Sequence, residues 1–212
     1  ISPAIFIPIA ERSMLIEEIG MWVVAETVRQ VEEWKDTELG VLRVSAHLSV
    51  KELVSGRIVD YLTDVREVHP GIEQRMELEI TESFGVFSDT RVFDALQKLH
   101  QMGYRLAIDD FGTGYSSLSY LSRLPIQRLK IDRSFISGPD ACSNAPLIET
   151  IIKLAHTLKY DVVAEGIEEL EQADHLRVLD CEYAQGFYYS RPIPADEFRV
   201  WYVKYHQKLL SE

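Results

Sequence analysis

Four carboxylates, Glu79, Asp109, Asp110 and Glu165, stand at or near the ends of short apolar runs, with Lys130 and His47 on similar runs. An acid at the end of a strand is commonly a solvated cap or turn residue. Several converging on one spot repel one another unless protons or cations neutralise them, and grouped carboxylate oxygens are what hard divalent cations require. Together the four resemble a metal cage. Asp109 and Asp110 are neighbours, so regular strand geometry points them to opposite faces, and using both requires the backbone to turn between them. Lys130 is either a neutralising ion-pair partner or a cation that stabilises a phosphate transition state. A lysine amid carboxylates has a raised pKa, which favours the electrostatic role over proton transfer. His47 is either a packed strand histidine or a further ligand.

The elements that must position these groups alternate. Residues 42–49, 75–81, 104–110, 128–132, 161–166 and 183–189 read as strands rich in Val, Ile, Leu and Tyr. Helical patterns cover 14–35, 89–102, 146–159, 168–179 and 195–210. Ser88 caps the second and Gly103 stops it; Pro146 opens the third, with an apolar face of Leu147, Ile151, Leu154, Ala155 and Leu158. Residues 137–146 form the clearest loop, and Trp22 and Trp34 are packing residues of the long first helix. Repeated strand–helix units imply a parallel sheet, either open or closed as an α/β barrel. Six strands are visible and a closed (β/α) barrel has eight, so either the sheet is open or about two strands precede Ile1.

Parity along these strands is informative. Glu77 and Glu79 oppose Met76, Leu78 and Ile80; Ser45, His47 and Ser49 oppose Val44, Ala46 and Leu48; Lys130 shares a face with Arg128 and Asp132; Gln185 shares one with Phe187. Each strand carries a polar side chain near its C-terminal end, where a barrel builds its active site. The segment FGTGYSS (111–117) lacks the P-loop pattern, and Ser117 stands at the third glycine position of a dinucleotide fingerprint. Gly112 and Gly114 suggest a mobile turn with unusual dihedrals, and Ser116 or Ser117 can cap the following helix. Phe187, Tyr188 and Tyr189 are core or rim residues, or offer one stacking platform for a base.

Composition narrows the function. The chain has 212 residues, is 46% hydrophobic and 26% charged, and carries a net charge of −12. That suits one domain and repels nucleic acid, but not a small phosphate ligand held through metals. Two cysteines, Cys142 and Cys181, make a disulfide scaffold improbable, and no apolar run approaches the roughly 20 residues of a membrane span. The start at ISPAIF without methionine suggests a piece of a longer protein.

The blocks ISPAIFIPIAE, ELEITES, DDFGTGYSSLSYL, LKIDRSF, VVAEGIE and QGFYYSRP, in this order, resemble the EAL-domain family over nearly the whole chain. The resemblance implies an EAL-type (β/α)8 TIM-like barrel spanning 1–212, with its first one or two strands missing. It implies hydrolysis of cyclic di-GMP to linear pGpG with two divalent cations, Mg2+ or Mn2+. By motif, Glu79, Asp109, Asp110 and Glu165 are metal ligands, and Lys130, Glu165 and Asp109 are catalytic. Glu82 steadies the loop after the Asp pair and Glu168 supports the site. Asp132, Gln185, Phe187, Arg191 and Pro192 lie on the substrate side. The family has Asn as a ligand where His47 stands. The glutamate of the E-x-L signature strand and the arginine just after it are absent from the chain. The alternative is a degenerate EAL domain, a cyclic di-GMP receptor or protein-interaction module without turnover. The resemblance further implies a bacterial cytoplasmic setting, with tethering through upstream domains as an option, an upstream sensor or GGDEF domain in the same polypeptide, and a homodimer. The fragment alone is expected to be inactive.

Overall fold

A computed structural model of the chain describes residues 1–82, 89–114, 118–137 and 141–209. Two helices, α1 (Pro3–Arg12) and α2 (Leu15–Trp34), precede strand β1 (Val44–Leu48). Then follow α3 (Val50–Ser55), α4 (Arg57–Val68), β2 (Met76–Thr81), α5 (Thr90–Gln101), β3 (Arg105–Phe111), α6 (Leu118–Leu121) and β4 (Arg128–Ile131). The chain continues with α7 (Arg133–Ser137), α8 (Ala141–Thr157), β5 (Asp161–Glu165), α9 (Leu170–Val178), β6 (Tyr183–Gln185) and α10 (Ala195–Leu209). The six strands form one parallel sheet in the order β1-β2-β3-β4-β5-β6. It is a curled half-barrel. Among the described residues β1 and β6 are each paired on one side only.

Strand alternation divides the molecule into two surfaces. Ala46, Leu48, Leu78, Ile80, Leu106, Ile108, Leu129, Ile131, Val162 and Ala164 join Val24, Leu62, Leu96, Ile151 and other helix residues in one buried apolar cluster. Removing that area from water is the main stabilising term. The opposite parity points into the concave face. There Glu77, Glu79, Asp109 and Lys130 are buried although charged, which is tolerated only because they pair with one another.

Several expectations are corrected. Residues 137–146 do not form a loop throughout, because α8 already runs from Ala141 with Pro146 inside it. Pro146 is the sixth residue of α8, past the first turn, so it removes one N–H from the helical ladder and the helix continues without that bond. Leu147 is 45% exposed, so the apolar face of α8 instead runs through Ile148, Ile151, Ile152 and Ala155. The sixth strand ends at Gln185 because the chain turns, with Tyr188 N–H bonding to Ile167 O and Tyr189 N–H to Gly186 O. Helix α2 begins after Met14, at φ 64°, and a separate α1 precedes it. Trp22 is not a packing residue but 67% exposed, whereas Trp34 stacks on Phe198 with ring centroids 5.7 Å apart. Helices α3 and α4 are an addition. Their sequence signals are the Ser49–Glu52 capping box, Gly56 in the left-handed region, and buried Ile58, Leu62 and Val65.

The caps assigned to Ser88, Ser116 and Ser117 lie outside the described residues. The Asp89 side chain accepts from Arg91 N–H at the start of α5. Cys181 is free, and the Cys142 side chain is also outside the described set. No described helix is long and apolar enough to cross a membrane.

Candidate metal centre

Four strands supply one cluster at the C-terminal end of the concave face. Lys130 Nζ on β4 lies 2.7 Å from Glu79 Oε2 on β2, 2.8 Å from Asp109 Oδ1 on β3 and 2.8 Å from Glu165 Oε1 on β5. Burial pulls the ammonium towards losing its proton. Glu79 and Asp109 beside it outweigh that, and the Lys130 pKa is raised. His47 on β1, level with Glu79 in the strand register, closes the cluster from the solvent side. Its Nε2 is 3.3 Å from Glu79 Oε2 and its Nδ1 is 3.3 Å from Asp109 Oδ2. Glu79 and Asp109 are thus held between a buried ammonium and an exposed imidazole.

The backbone does turn between the two adjacent aspartates. The register of β3 against β4 shifts between Ile108 and Phe111, and Asp110 has φ 54°. Aspartate is among the few side chains that enter this left-handed region readily. The turn brings a carboxylate oxygen of Asp110 within 4.8 Å of oxygens from Asp109 and Glu165, where a straight strand would point it away. Gly112, at φ 99°, continues the turn, and a Cβ there would lie 2.7 Å from the Phe135 ring. Its N–H donates to Glu82 Oε2 at 2.6 Å, and Glu82 N–H donates to Asp109 O at 2.9 Å. Gly114 has no positive φ. It packs close to Glu82 instead, so the expectation of unusual dihedrals holds for Gly112 only.

Two donor groups result: His47, Glu79 and Asp109, and Asp109, Asp110 and Glu165, each with ligand atoms within 4.8 Å of one another. They share Asp109. Burial raises the Asp110 pKa, and Asp109 and Asp132 add to it against Lys130 and His47. Burial likewise raises that of Glu165, although Lys130 opposes the shift. These groups fit a divalent cation, which would supply the charge that the carboxylates lack.

The remaining expected residues divide. Asp132 is spent locally, its Oδ1 accepting from Ser134 N–H at 3.0 Å and from Ser134 Oγ at 2.5 Å at the start of α7. Glu168 is exposed, donates its N–H to Gln172 Oε1, and lines a separate cleft of about 570 Å³ with residues of α7, α8 and α9. It is in neither donor group. Gln185 pairs with Glu165 across β5 and β6. With Phe187, Arg191 and Pro192 it lines a cleft of about 890 Å³. The Arg191 guanidinium sits 4.5 Å over the Phe187 ring.

Sequence reasoning missed the far wall of that cleft, made by Phe198, Trp201, Tyr202 and Tyr205 of α10. Their i, i+3, i+4, i+7 spacing was the available signal. A second ionic group, centred on buried Glu77, was also missed. One layer below the cluster, Glu77 meets Arg105 Nε at 3.1 Å and Arg128 Nη1 at 2.9 Å, and Arg105 pairs with Asp161. Arg128 also lies 4.2 Å over the Tyr183 ring. Strand parity already places Glu77 with Glu79 and Arg128 with Lys130.

Comparison with known proteins adds to this geometry. The family model for the EAL domain matches residues 1–192. The oxygen sensor protein DosP of Escherichia coli is 38% identical over 205 residues, which is 95% of this chain and 25% of DosP. The bifunctional diguanylate cyclase/cyclic di-GMP phosphodiesterase MucR of Pseudomonas aeruginosa is 38% identical over 198 residues, 93% of this chain and 29% of MucR. A solved PaMucR phosphodiesterase in complex with c-di-GMP superposes with a TM-score of 0.87 at 37% identity, covering 93% of this chain and 81% of that one. The α/β half-barrel therefore matches EAL barrel structures. The chain spans about a quarter to a third of the length of these curated relatives.

Proposed function

The chain belongs to the EAL-domain family, and from that premise we propose that it hydrolyses cyclic di-GMP to linear pGpG at a centre holding two divalent cations, Mg2+ or Mn2+. The observation that carries this reading is the pair of donor groups sharing Asp109, with Lys130 Nζ within 2.8 Å of Glu79, Asp109 and Glu165. His47, Glu79 and Asp109 would hold one cation, and Asp109, Asp110 and Glu165 the other. When bound, such a pair supplies water activation and charge neutralisation for an in-line phosphodiester displacement. Lys130, with its raised pKa, keeps its proton and offsets negative charge on the phosphate. Glu165 joins the second donor group to Lys130, whose Nζ lies 2.8 Å from its Oε1. Glu82 fixes the Asp109–Gly112 turn through both its carboxylate and its N–H. The cleft of Gln185, Phe187, Arg191 and Pro192 includes the strand partner of Glu165, and its aromatic walls suit a guanine face.

The test is chromatography of cyclic di-GMP incubated with the complete protein and Mn2+. Appearance of pGpG, abolished by Glu79→Gln, supports the proposal; unhydrolysed ligand sinks it. A second reading has its own observation, the imidazole of His47 closing on both Glu79 and Asp109. On that reading the domain binds cyclic di-GMP without turnover, and calorimetry would detect binding unaffected by a chelator. Upstream sensor or GGDEF segments in the complete protein accord with relatives three to four times the length of this chain.

A further inference from the structure

The two donor groups are chemically unlike. Asp109, Asp110 and Glu165 offer only carboxylate oxygens, whereas His47, Glu79 and Asp109 offer imidazole nitrogen with two carboxylates. The His47 side chain is 65% exposed, yet its two nitrogens face a different buried carboxylate each, at 3.3 Å. Glu79 and Asp109 are only 6% exposed and held by Lys130, so they are placed ligands, and the exposed ring at the lip presents one nitrogen to each. Oxygen-only sites suit Mg2+ and Mn2+. Imidazole beside carboxylates suits Zn2+, Co2+ and Mn2+, and disfavours Mg2+.

We propose that His47 makes the centre asymmetric, so that the His47–Glu79–Asp109 position selects a first-row transition-metal ion over Mg2+ while the Asp109–Asp110–Glu165 position stays an all-oxygen site. The inference rests on the cation-binding reading above and adds to it which cation each position takes.

The experiment uses the complete protein stripped of metal and reloaded with one equivalent of Mn2+ in excess Mg2+. Pulsed electron paramagnetic resonance should show a directly coordinated 14N, lost in His47→Asn. Calorimetry should show that substitution weakening Zn2+ or Co2+ by roughly tenfold or more, with Mg2+ changed much less. Circular dichroism checks that the variant keeps its fold. A bound Mn2+ without nitrogen coupling overturns the inference, as does a parallel loss of Zn2+ and Mg2+ affinity. Either result leaves the hydrolase proposal standing if pGpG still forms. Nitrogen coupling with no hydrolysis supports the inference and removes the hydrolase reading instead.

Discussion

At the scale of single residues, Lys130 carries the most. Three carboxylates converge on its ammonium, and each contact is 2.7–2.8 Å. Removing one partner of a buried ionic group typically costs about 3–5 kcal/mol, because the other charges stay buried without compensation. Lys130→Met should therefore lower stability by about that amount in a chelator. With saturating Mn2+ the loss should shrink, since the cation supplies the missing charge. Urea titrations under both conditions check this, and equal losses with and without Mn2+ would sink it. The types of these residues and their strand parity made the cluster legible in the sequence. The placement of His47 was not legible there. Alternation puts it on the concave face, but only the folded strand register sets both nitrogens between Glu79 and Asp109.

At the scale of elements, the turn at the end of β3 decides whether Asp110 joins the site. Gly112→Ala forces a side chain at φ 99° and into the Phe135 ring, and should cost about 2 kcal/mol or more while weakening the second donor group. An unaltered urea midpoint would refute it. A different element, α3, holds a pH-dependent contribution. Glu52 caps it, its Oε2 accepting Ser49 N–H at 2.8 Å, but it is 2% exposed and its Oε1 has no hydrogen-bond partner among the described residues. Burial raises its pKa, and Glu17 adds to the shift against the bonds from Ser49. A carboxyl raised in the folded state favours folding below its unfolded pKa of about 4.3, and that advantage is lost as pH rises through the folded value. Glu52→Gln keeps the acceptor without the charge. Its melting temperature relative to the wild type should thus rise between mildly acidic and neutral pH, and a pH-independent difference would contradict this. Strands were legible here because alternation is strong in 75–81 and 128–132. The start of α8 was not, because Pro146 and the polar residues before it carry turn signals. Nor was the positive φ at Asp110, since an Asp-Asp pair has no unique backbone signature.

At the scale of the whole molecule, the concave interior is built in two ionic layers. The upper one, at the strand C-termini, contains the candidate centre. The lower one, two residues earlier on β2 and β4 and four residues earlier on β3 and β5, joins Glu77, Arg105, Arg128 and Asp161. In barrel folds the C-terminal end carries chemistry and the N-terminal end carries stability. The lower layer uses ion pairs where an apolar layer would serve equally well, since buried pairs seldom outdo well-packed hydrophobic side chains. Glu77 is 2% exposed, and Arg105 and Arg128 both depend on it. Glu77→Ala should therefore destabilise by about 3–5 kcal/mol, because it leaves two guanidinium groups facing one half-exposed Asp161. Replacing Glu77, Arg105 and Arg128 together by Met or Leu should recover most of that loss. Neither variant should change Mn2+ affinity while the protein remains folded, because the donors of the upper layer contact one another and Lys130 rather than the layer below. Urea denaturation paired with Mn2+ calorimetry checks both statements. A Glu77→Ala protein that keeps its stability, or one that stays folded but loses Mn2+, would show that the two layers are not independent.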